Sequence, residues 1–279
     1  MLWRCRQRNI DLTRPVVMGI LNVTPDSFSD GGRYAALDAA LERARQIVAE
    51  GATIIDVGGQ STRPGAFAVD ASVEIARVVP VIEGIAASCD VAISIDTSKP
   101  RVMQAGVAAG ACIINDVYAL REPGARAVAA ESQVGVGLMH MQGEPRTMQD
   151  RPHYNDVVAE VMAFLAHERR ACIEAGVACD AIAVDPGFGF GKNLEHNLTL
   201  LRELPRFAAL QAPLLIGVSR KSVIGKILGK SANDRLYGGL GLTALAVANG
   251  ARIIRTHDVG PTVDAVRSVC AVLQGAAAP

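Results

Sequence analysis

The sequence predicts a single-domain (β/α)8 barrel of the α/β class, and three observations support this prediction. Eight short apolar runs rich in Val and Ile recur along the 279 residues. Continuous runs of this length are typical of strands buried on both faces of a parallel sheet. Helix-period segments separate most of them, and a spacing of roughly 30 to 35 residues per unit matches an eightfold barrel. The predicted strands are Val16–Leu21, Thr53–Val57, Val91–Ile95, Ala111–Ile114, Val134–Met139, Ala181–Val184, Pro213–Val218 and Ala251–Ile254.

Three Ala-rich segments carry apolar residues at helical spacing and are predicted as helices on the outside of the barrel. They are Ala35–Glu50, Val73–Ala87 and Val157–Gly176. No Pro-, Gly- or Ser-rich linker, low-complexity tract or repeat divides the chain. We therefore predict one barrel domain that spans residues 1–279.

A doubly wound sheet is the competing architecture. It would be favoured by Gly-x-Gly-x-x-Gly after the first strand, and this motif is absent. The run Gly187-Phe-Gly-Phe-Gly191-Lys192-Asn193 is not a phosphate-binding P-loop either. Its glycines are one residue too close together, and Asn193 replaces the required Ser or Thr.

The composition limits the class of protein. Lys and Arg together number 28, as do Asp and Glu, so the chain lacks the charge excess typical of nucleic-acid or acidic-membrane binding. No apolar run has the length of a membrane span, and no signal-peptide core follows the basic first residues. The six cysteines lie far apart without Cys-x-x-Cys, which is typical of reduced thiols. We expect a soluble cytoplasmic protein that binds neither nucleic acid nor membrane.

A polar or ionisable residue lies at the carboxyl end of every predicted strand. One such residue can be a helix cap, but caps do not require the Lys and Arg found after the last two strands. In a barrel these positions converge on one mouth, where active sites lie. They are Asn22, Asp56, Asp96, Asn115, His140, Asp185, the segment Ser219–Ser222 and the segment Arg255–Asp258. The histidines are scattered without zinc-ligand spacing, and we interpret His140 as incidental.

Two chemistries can be separated among these residues. Asp96, Asn115 and Asp185 are suited to a flat heterocycle with adjacent N–H donors, such as a 2-amino-4-oxopyrimidine. Met139 and Phe190 can form the walls around such a ring, although residues of these types are more often plain core packing.

A second group of residues is cationic and suited to phosphate, because Arg and hydrogen-bond donors bind phosphate oxygens. It comprises Asn22, Thr62, Arg63, Arg255 and His257. Ser219–Ser222 enters a predicted helix after the seventh strand, the usual place for a barrel's anion site. A Schiff base at Lys221, whose pKa its neighbour Arg220 would lower, is the rival interpretation of that segment.

Two loops rich in Gly and Pro lie after the first two strands. They run from Asn22 to Gly32 and from Gly58 to Gly65, and each has glycines around polar residues. Such loops are typical of lids that close over a bound ligand.

Eight motifs, which follow one another over nearly the whole chain, resemble those of the bacterial dihydropteroate synthases. They are Met-Gly-Ile-Leu-Asn-Val-Thr-Pro-Asp-Ser-Phe-Ser-Asp-Gly-Gly, Ser-Thr-Arg-Pro-Gly, Ile-Asp-Thr-Ser-Lys-Pro, Ile-Ile-Asn-Asp, Leu-Met-His-Met-Gln-Gly, Asp-Pro-Gly-Phe-Gly-Phe-Gly-Lys, Ser-Arg-Lys-Ser and Arg-Thr-His-Asp. The resemblance implies condensation of (7,8-dihydropterin-6-yl)methyl diphosphate with 4-aminobenzoate, giving 7,8-dihydropteroate and diphosphate in folate synthesis. It also implies Mg²⁺, a homodimer, and competition by sulfonamides for the aminobenzoate site.

The resemblance also implies roles for individual residues. Asp96, Asn115, Asp185 and Lys221 match pterin-binding positions, and Met139 and Phe190 line that pocket. Asn22 matches the metal ligand, while Thr62, Arg63, Arg255 and His257 match the diphosphate side. Phe28, Thr62, Pro64 and Ser222 match the aminobenzoate site, and the catalytic set is Asp96, Lys221, Arg255 and His257. One departure is Gln60, where the family usually has Glu, and this affects how the second loop is held.

Three alternatives remain at this stage. One is a pterin-binding module that performs no synthesis, such as the methyltetrahydrofolate-binding domain of corrinoid methyltransferases. The second is a non-catalytic paralogue retained for interaction or regulation. The third is an aldolase with a Schiff base at Lys221.

Overall fold

The fold is built from ten strands and nine helices in the part of the chain that a computed structural model describes, residues 1–24, 32–61, 69–144 and 146–274. The strands are β1 (Leu2–Cys5), β2 (Arg8–Asp11), β3 (Val16–Asn22), β4 (Ile54–Gly58), β5 (Ala92–Asp96), β6 (Ile113–Asp116), β7 (Gly135–Met139), β8 (Ile182–Asp185), β9 (Leu215–Ile216) and β10 (Ile253–Thr256). The helices are α1 (Gly32–Ala49), α2 (Ala71–Ser88), α3 (Pro100–Ala109), α4 (Ala125–Ser132), α5 (Val157–Glu174), α6 (Leu194–Arg202), α7 (Ser222–Leu228), α8 (Leu236–Ala248) and α9 (Val259–Gln274).

Eight parallel strands form the barrel, in the order β8-β7-β6-β5-β4-β3-β10-β9. A parallel bridge between Val184 and Leu214 joins the two ends of this sheet, so the barrel closes. The prediction of a (β/α)8 barrel is therefore confirmed, and the doubly wound sheet is wrong.

The strand boundaries differ from the prediction in an informative way. Four polar residues placed after their strands are part of them, since pairing continues through Asn22, Asp96, Asn115 and Asp185. The predicted strand Pro213–Val218 pairs as a strand only over β9. Pro213 has no N–H to donate to a ladder, and its carbonyl accepts from the Val184 N–H at 2.9 Å.

The β1–β2 hairpin was not predicted, and it covers the amino-terminal end of the barrel. Trp3 is 0% exposed and belongs to an inner apolar cluster with Met18, Ile54 and Ile253, which lie near the starts of barrel strands. The Trp3 indole Nε1–H donates to the Ala181 carbonyl at 2.8 Å. The polar residues lie at the opposite end of the barrel, at the carboxyl ends of the strands.

A larger apolar cluster lies between the barrel and the helices, where strand residues such as Ile55 and Ile95 pack against Ile82 and Val102. In the described part of the chain, no helix combines the length and apolar character needed to cross a membrane.

Candidate active site

Residues of four neighbouring strands lie in one row at the carboxyl end of the barrel, and three of them are polar. Asn22 is in register with Gly58, Gly58 with Asp96, and Asp96 with Asn115. The Asn22 Oδ1 and Asp96 Oδ2 atoms each lie 3.7 Å from the point that a Cβ on Gly58 would occupy. Asn115 is followed in the row by Gly137, where an added Cβ would lie 2.9 Å from the Asn115 Oδ1. Glycine at position 137 therefore leaves the room that this amide needs.

Asp56 connects this row to Arg255. Its Oδ2 accepts hydrogen bonds from the Arg255 Nε at 2.6 Å and from the Asn115 Nδ2 at 3.1 Å. The Arg255 Nη2 donates to the Asp96 Oδ2 at 2.6 Å, so one guanidinium joins two carboxylates. Asp56 is 0% exposed, and its Oδ1 has no hydrogen-bond partner among the described residues. Asp56 lies at the end of a predicted strand, but the sequence alone gives it no role.

Burial and charge act in opposite directions on this network. Burial raises the pKa of the Asp96 carboxyl to about 7, although Arg255 acts to lower it. Burial of the Arg255 guanidinium works to lower its pKa, but Asp56 and Asp96 outweigh this effect and the pKa is raised. Arg255 therefore stays cationic while it is only 21% exposed.

Asp185 lies at the end of β8, beside a buried turn. Its Oδ1 accepts from the Gly187 N–H at 2.7 Å. Burial raises the pKa of Asp185, and Lys221 gives the largest opposing effect. The Lys221 Nζ donates to the Phe188 carbonyl at 2.5 Å and lies 4.7 Å from the centroid of the Phe190 ring. The structure thus brings a carboxylate, an ammonium group and an aromatic ring together.

Met139 and Phe190, the predicted walls, belong to one small apolar cluster. Met139 ends β7 in register with Asp185, and it is buried with Val117, Met141 and Met148. Phe190 packs against this cluster.

The proposed effect of Arg220 on Lys221 is wrong. Arg220 pairs instead with Asp258, with 3.1 Å between its Nε and the Asp258 Oδ2. Burial is the largest cause that lowers the pKa of Lys221 to about 8, and Asp185 opposes it. The charge of Asp185 therefore favours the ammonium form of Lys221, while the Phe188 carbonyl holds its Nζ.

His257 and Ser222 flank Lys221 at the rim. The His257 N–H donates to the Ser219 Oγ at 3.2 Å, and that hydroxyl lies 3.1 Å from the His257 Nδ1. Ser222 is exposed as the first residue of α7. His257 directly follows β10, and Ser222 follows β9, the neighbour of β10 in the barrel.

Gln60 holds the end of the second loop. Its Oε1 accepts from the Val69 N–H at 3.2 Å and from the Lys99 Nζ. The Lys99 Nζ also pairs with the Glu74 Oε2 at 2.5 Å. The amide in place of the usual carboxylate therefore still bonds to the base of the loop.

His140 is buried beside Lys192. The Lys192 Nζ lies 2.9 Å from the His140 Nδ1, and it donates to the Phe190 carbonyl at 3.0 Å. Burial lowers the pKa of His140 to about 3, so the imidazole is neutral. Lys192 ends both the failed P-loop match and one of the family motifs, but the sequence alone gives it no role.

Four of the predicted site residues lie outside the described residues: Phe28, Thr62, Arg63 and Pro64. The two loops predicted as lids contain them.

Comparison with known proteins gives a consistent result. Residues 18–257 match the model of the family described as pterin binding enzyme. The dihydropteroate synthase of Escherichia coli K12 is 52% identical over 265 residues, which cover 95% of this chain and 94% of that protein. The crystal structure of Yersinia pestis dihydropteroate synthase in a sulfonamide drug complex is 47% identical, with a TM-score of 0.94, over 98% of this chain and all of that one. The Xanthomonas albilineans enzyme in complex with 7,8-dihydropteroate is 44% identical, with a TM-score of 0.89, over 99% and 100% of the two chains.

The matches cover the barrel from end to end and include the strands that carry Asp96, Asn115, Asp185 and Arg255. The chain belongs to the pterin-binding enzymes, and among them to the dihydropteroate synthases.

Proposed function

We propose that this chain condenses (7,8-dihydropterin-6-yl)methyl diphosphate with 4-aminobenzoate to give 7,8-dihydropteroate and diphosphate. The C–O bond at the pterin methylene breaks, a C–N bond to the amine forms, and the amine loses a proton. The observation that carries the proposal is the row of Asn22, Asp96 and Asn115 joined to Arg255 at the barrel mouth. Two structures of the Xanthomonas albilineans relative, one with 7,8-dihydropteroate and one with 4-aminobenzoic acid, support this reaction.

In this proposal, Asp185 and Asn115 recognise the pterin ring. A carboxylate accepts two parallel hydrogen bonds from the adjacent amino group and N3–H of a 2-amino-4-oxopyrimidine. Lys221, beside Asp185, donates to an acceptor atom of the ring, and Met139 and Phe190 provide the apolar faces. Recognition requires that Asp185 be ionised, and Lys221 favours that state.

Asp185→Asn should weaken binding of the pterin diphosphate by about 2–4 kcal/mol, because a buried two-point acceptor is lost. Isothermal titration calorimetry with the pterin diphosphate measures this directly. Asp180→Asn is a matched control, since Asp180 is exposed and pairs with Arg4 at 3.3 Å far from the mouth. Unchanged affinity in Asp185→Asn would refute the assignment of this residue to the ring.

Arg255 and His257, with Arg63 and Thr62, are proposed to bind the diphosphate. A cation fixed by Asp56 and Asp96 needs little reorganisation to meet the charge that develops on the leaving group. The buried position of the guanidinium strengthens this interaction relative to water.

Mg²⁺ fits the site only together with the substrate. Among the described residues there is no group of three or more His, Cys, Asp or Glu side chains arranged to hold a metal ion. Mg²⁺ usually keeps several waters and takes one or two protein ligands plus substrate phosphate oxygens, so the Asn22 amide oxygen is a sufficient protein ligand. The bound ion would neutralise charge on the leaving diphosphate.

We propose that diphosphate leaves before the amine attacks. Loss of diphosphate leaves a cation at the methylene that the pterin ring stabilises, and Asp96 lies where that charge develops. The aromatic amine is neutral and then needs to be positioned more than activated. The predicted lids would exclude water from the cation.

Asp96→Asn should slow diphosphate release more than it weakens pterin diphosphate binding. The amide keeps the shape of the side chain but removes the charge that stabilises the developing cation. We therefore expect the rate of diphosphate release to fall about a hundredfold. Rapid-quench measurement of diphosphate release in a single turnover separates this step from binding. Release at the wild-type rate would show that Asp96 does not act on the cation.

The aminobenzoate is proposed to bind at the rim, against Ser222, Phe28, Thr62 and Pro64. Ser222 is exposed beside Lys221, so it is accessible to a carboxylate that enters last. The sulfonamide complex of the Yersinia relative supports a site of this kind, for which sulfonamides would compete.

We also propose that the chain forms a homodimer in the cytoplasm. Helices α7, α8 and α9 pack side by side and expose large apolar side chains, and such a surface is typical of an interface. These side chains are Ile227, Leu228, Tyr237, Leu245 and Val272. Sedimentation equilibrium tests the dimer: Tyr237→Glu should shift the mass from dimer to monomer, and a monomeric wild type would refute it.

One experiment tests the function as a whole. Purified protein is mixed with the pterin diphosphate and labelled 4-aminobenzoate. One sample contains Mg²⁺ and the other does not. Labelled dihydropteroate that requires Mg²⁺ supports the proposal. Pterin binding without product would instead support the non-synthetic binding module.

A further inference from the structure

Lys192 is a buried lysine for which the proposed mechanism has no use. It is 2% exposed, although the free energy cost of burying an unpaired cation is large. No described carboxylate lies within ion-pair distance of it. Its Nζ instead lies 2.9 Å from the His140 Nδ1, and it donates to the Phe190 carbonyl at 3.0 Å and to the His140 carbonyl at 3.4 Å. The buried Lys192 amine therefore either positions other residues or takes part in chemistry.

These acceptors belong to two segments that meet behind the ring site. His140 directly follows β7, and its N–H donates to the Asp185 carbonyl at 2.9 Å. Phe190 lies in the turn from Gly187 to Gly191 that follows β8. This turn presses on the β7 segment so closely that a Cβ on Gly187, where φ is +71°, would lie 1.9 Å from the His140 carbonyl oxygen. Lys192 is thus a bridge between the two segments.

The turn positions two groups of the proposed ring site. The Phe188 carbonyl accepts from the Lys221 Nζ at 2.5 Å, and the Phe190 ring lies 4.7 Å from that same Nζ. Any shift of the turn would therefore move the aromatic wall and release the Lys221 ammonium. The Lys192 amine fixes the last part of this turn through its hydrogen bond to the Phe190 carbonyl.

We infer that Lys192 is a positioning residue of the pterin site, which holds the Gly187–Gly191 turn so that Phe190 and Lys221 face the ring together. The inference deepens the proposed function and rests on it for the identity of the ring. The residue does not touch the substrate. Its effect on the ligand is exerted through Phe190, Phe188 and Lys221.

The first test needs no ligand and compares Lys192→Met with the wild type. Methionine fills the same volume but donates no hydrogen bond, so the turn loses its bridge to His140. Trace acetylation with acetic anhydride, followed by mass spectrometry, measures how fast Lys221 is labelled. We expect Lys221 to react at least about fivefold faster in Lys192→Met than in the wild type, because an amine released from its hydrogen bonds reacts faster than one that keeps them. The exposed Lys226 and Lys230 serve as internal standards and should not change.

Tyr154→Phe is a matched control on the same turn. The Tyr154 hydroxyl donates to the Gly191 carbonyl at 2.8 Å, so its loss removes one hydrogen bond from the turn but leaves the bridge to His140. Lys221 labelling in this variant should stay within about twofold of the wild type. Lys192→Gln, which keeps a donor for the Phe190 carbonyl, should give an intermediate rate and replaces Lys192→Met if the latter does not fold.

The second test measures ligands. In Lys192→Met the dissociation constant of the pterin diphosphate should rise at least about tenfold, while the KM for 4-aminobenzoate should change by less than about twofold. A residue that merely supports the fold would affect both substrates or neither. Labelling and pterin affinity both equal to the wild type would overturn the inference. The labelling result stands even if the wild-type protein makes no dihydropteroate, an outcome that would refute only the proposed function.

Discussion

Asp56→Ala should lower kcat/KM for dihydropteroate formation by about two orders of magnitude, the largest effect expected for a residue that does not contact substrate. Removing one member of a buried charge pair costs about 2–5 kcal/mol, because the partner is left uncompensated. Here the partner is Arg255, whose Nε bonds to Asp56 at 2.6 Å, and Asn115 loses an acceptor at the same time. The diphosphate side and the ring side of the site are therefore disturbed together. Steady-state kinetics at saturating Mg²⁺ measures the loss, on protein whose circular dichroism matches the wild type.

Asp56→Asn should not restore activity. An asparagine can offer one oxygen, but its NH2 group must then occupy the position of the Asp56 Oδ1 or face two donors. The Oδ1 position has no hydrogen-bond partner among the described residues, so a buried donor there would be unsatisfied.

Asp90→Ala is the control for a lost ion pair. Asp90 pairs with Arg8 at 2.8 Å, but its side chain is 92% exposed, and pairs of this kind contribute little. Its kcat/KM should stay within about twofold of the wild type. If Asp56→Ala also stayed in that range, Asp96 alone would be sufficient to hold Arg255.

The barrel and the convergence of its polar residues could be predicted because both follow from patterns that extend along the whole chain. Eight apolar runs at a regular spacing indicate a parallel barrel, and the carboxyl ends of its strands meet at one mouth. This pattern predicts that Asp96 and Asn115 lie in the same mouth and that Arg255 lies at its rim, but it does not predict the contact between Arg255 and Asp96. The register of Asp96 with Asn115 agrees with it.

The roles of Asp56 and Lys192 could not be predicted, because they depend on burial and on partners distant in sequence. Asp56 bonds to Arg255 across 199 positions, and Lys192 meets His140 across 52. A sequence shows that a residue is charged but does not show which neighbour surrounds it. Lys192 follows the glycines of the failed P-loop match and ends one of the family motifs, and neither pattern shows that its side chain is buried.

The β1–β2 hairpin was missed for a different reason. Its strands have four residues each, too few for a clear alternation, and the basic residues between Trp3 and Ile10 indicate an exposed segment. The pairing of Trp3 with Ile10 shows that the apolar residues alternate onto one face. Only the presence of an open barrel end explains why that face is buried.

Trp3→Ala should lower the free energy of unfolding by about 3–5 kcal/mol, the largest effect on stability expected from one substitution outside the site. The side chain is 0% exposed in the inner apolar cluster, so its removal leaves a cavity among Met18, Ile54 and Ile253. It also leaves the Ala181 carbonyl without the indole donor at 2.8 Å. Urea unfolding followed by circular dichroism measures the change.

Catalysis should be affected much less than stability, because the hairpin and the site lie at opposite ends of the strands. At a temperature where Trp3→Ala is folded, its kcat should stay within about twofold of the wild type. Leu2→Ala is the matched control in the same strand, since Leu2 is 59% exposed and its removal should change stability by less than about 0.5 kcal/mol. Equal stability of Trp3→Ala and Leu2→Ala would mean that the hairpin only rests on the barrel. A large loss of kcat in folded Trp3→Ala would mean that the barrel transmits strain from one end to the other. The separation of a stabilising end from a catalytic end would then be wrong for this chain.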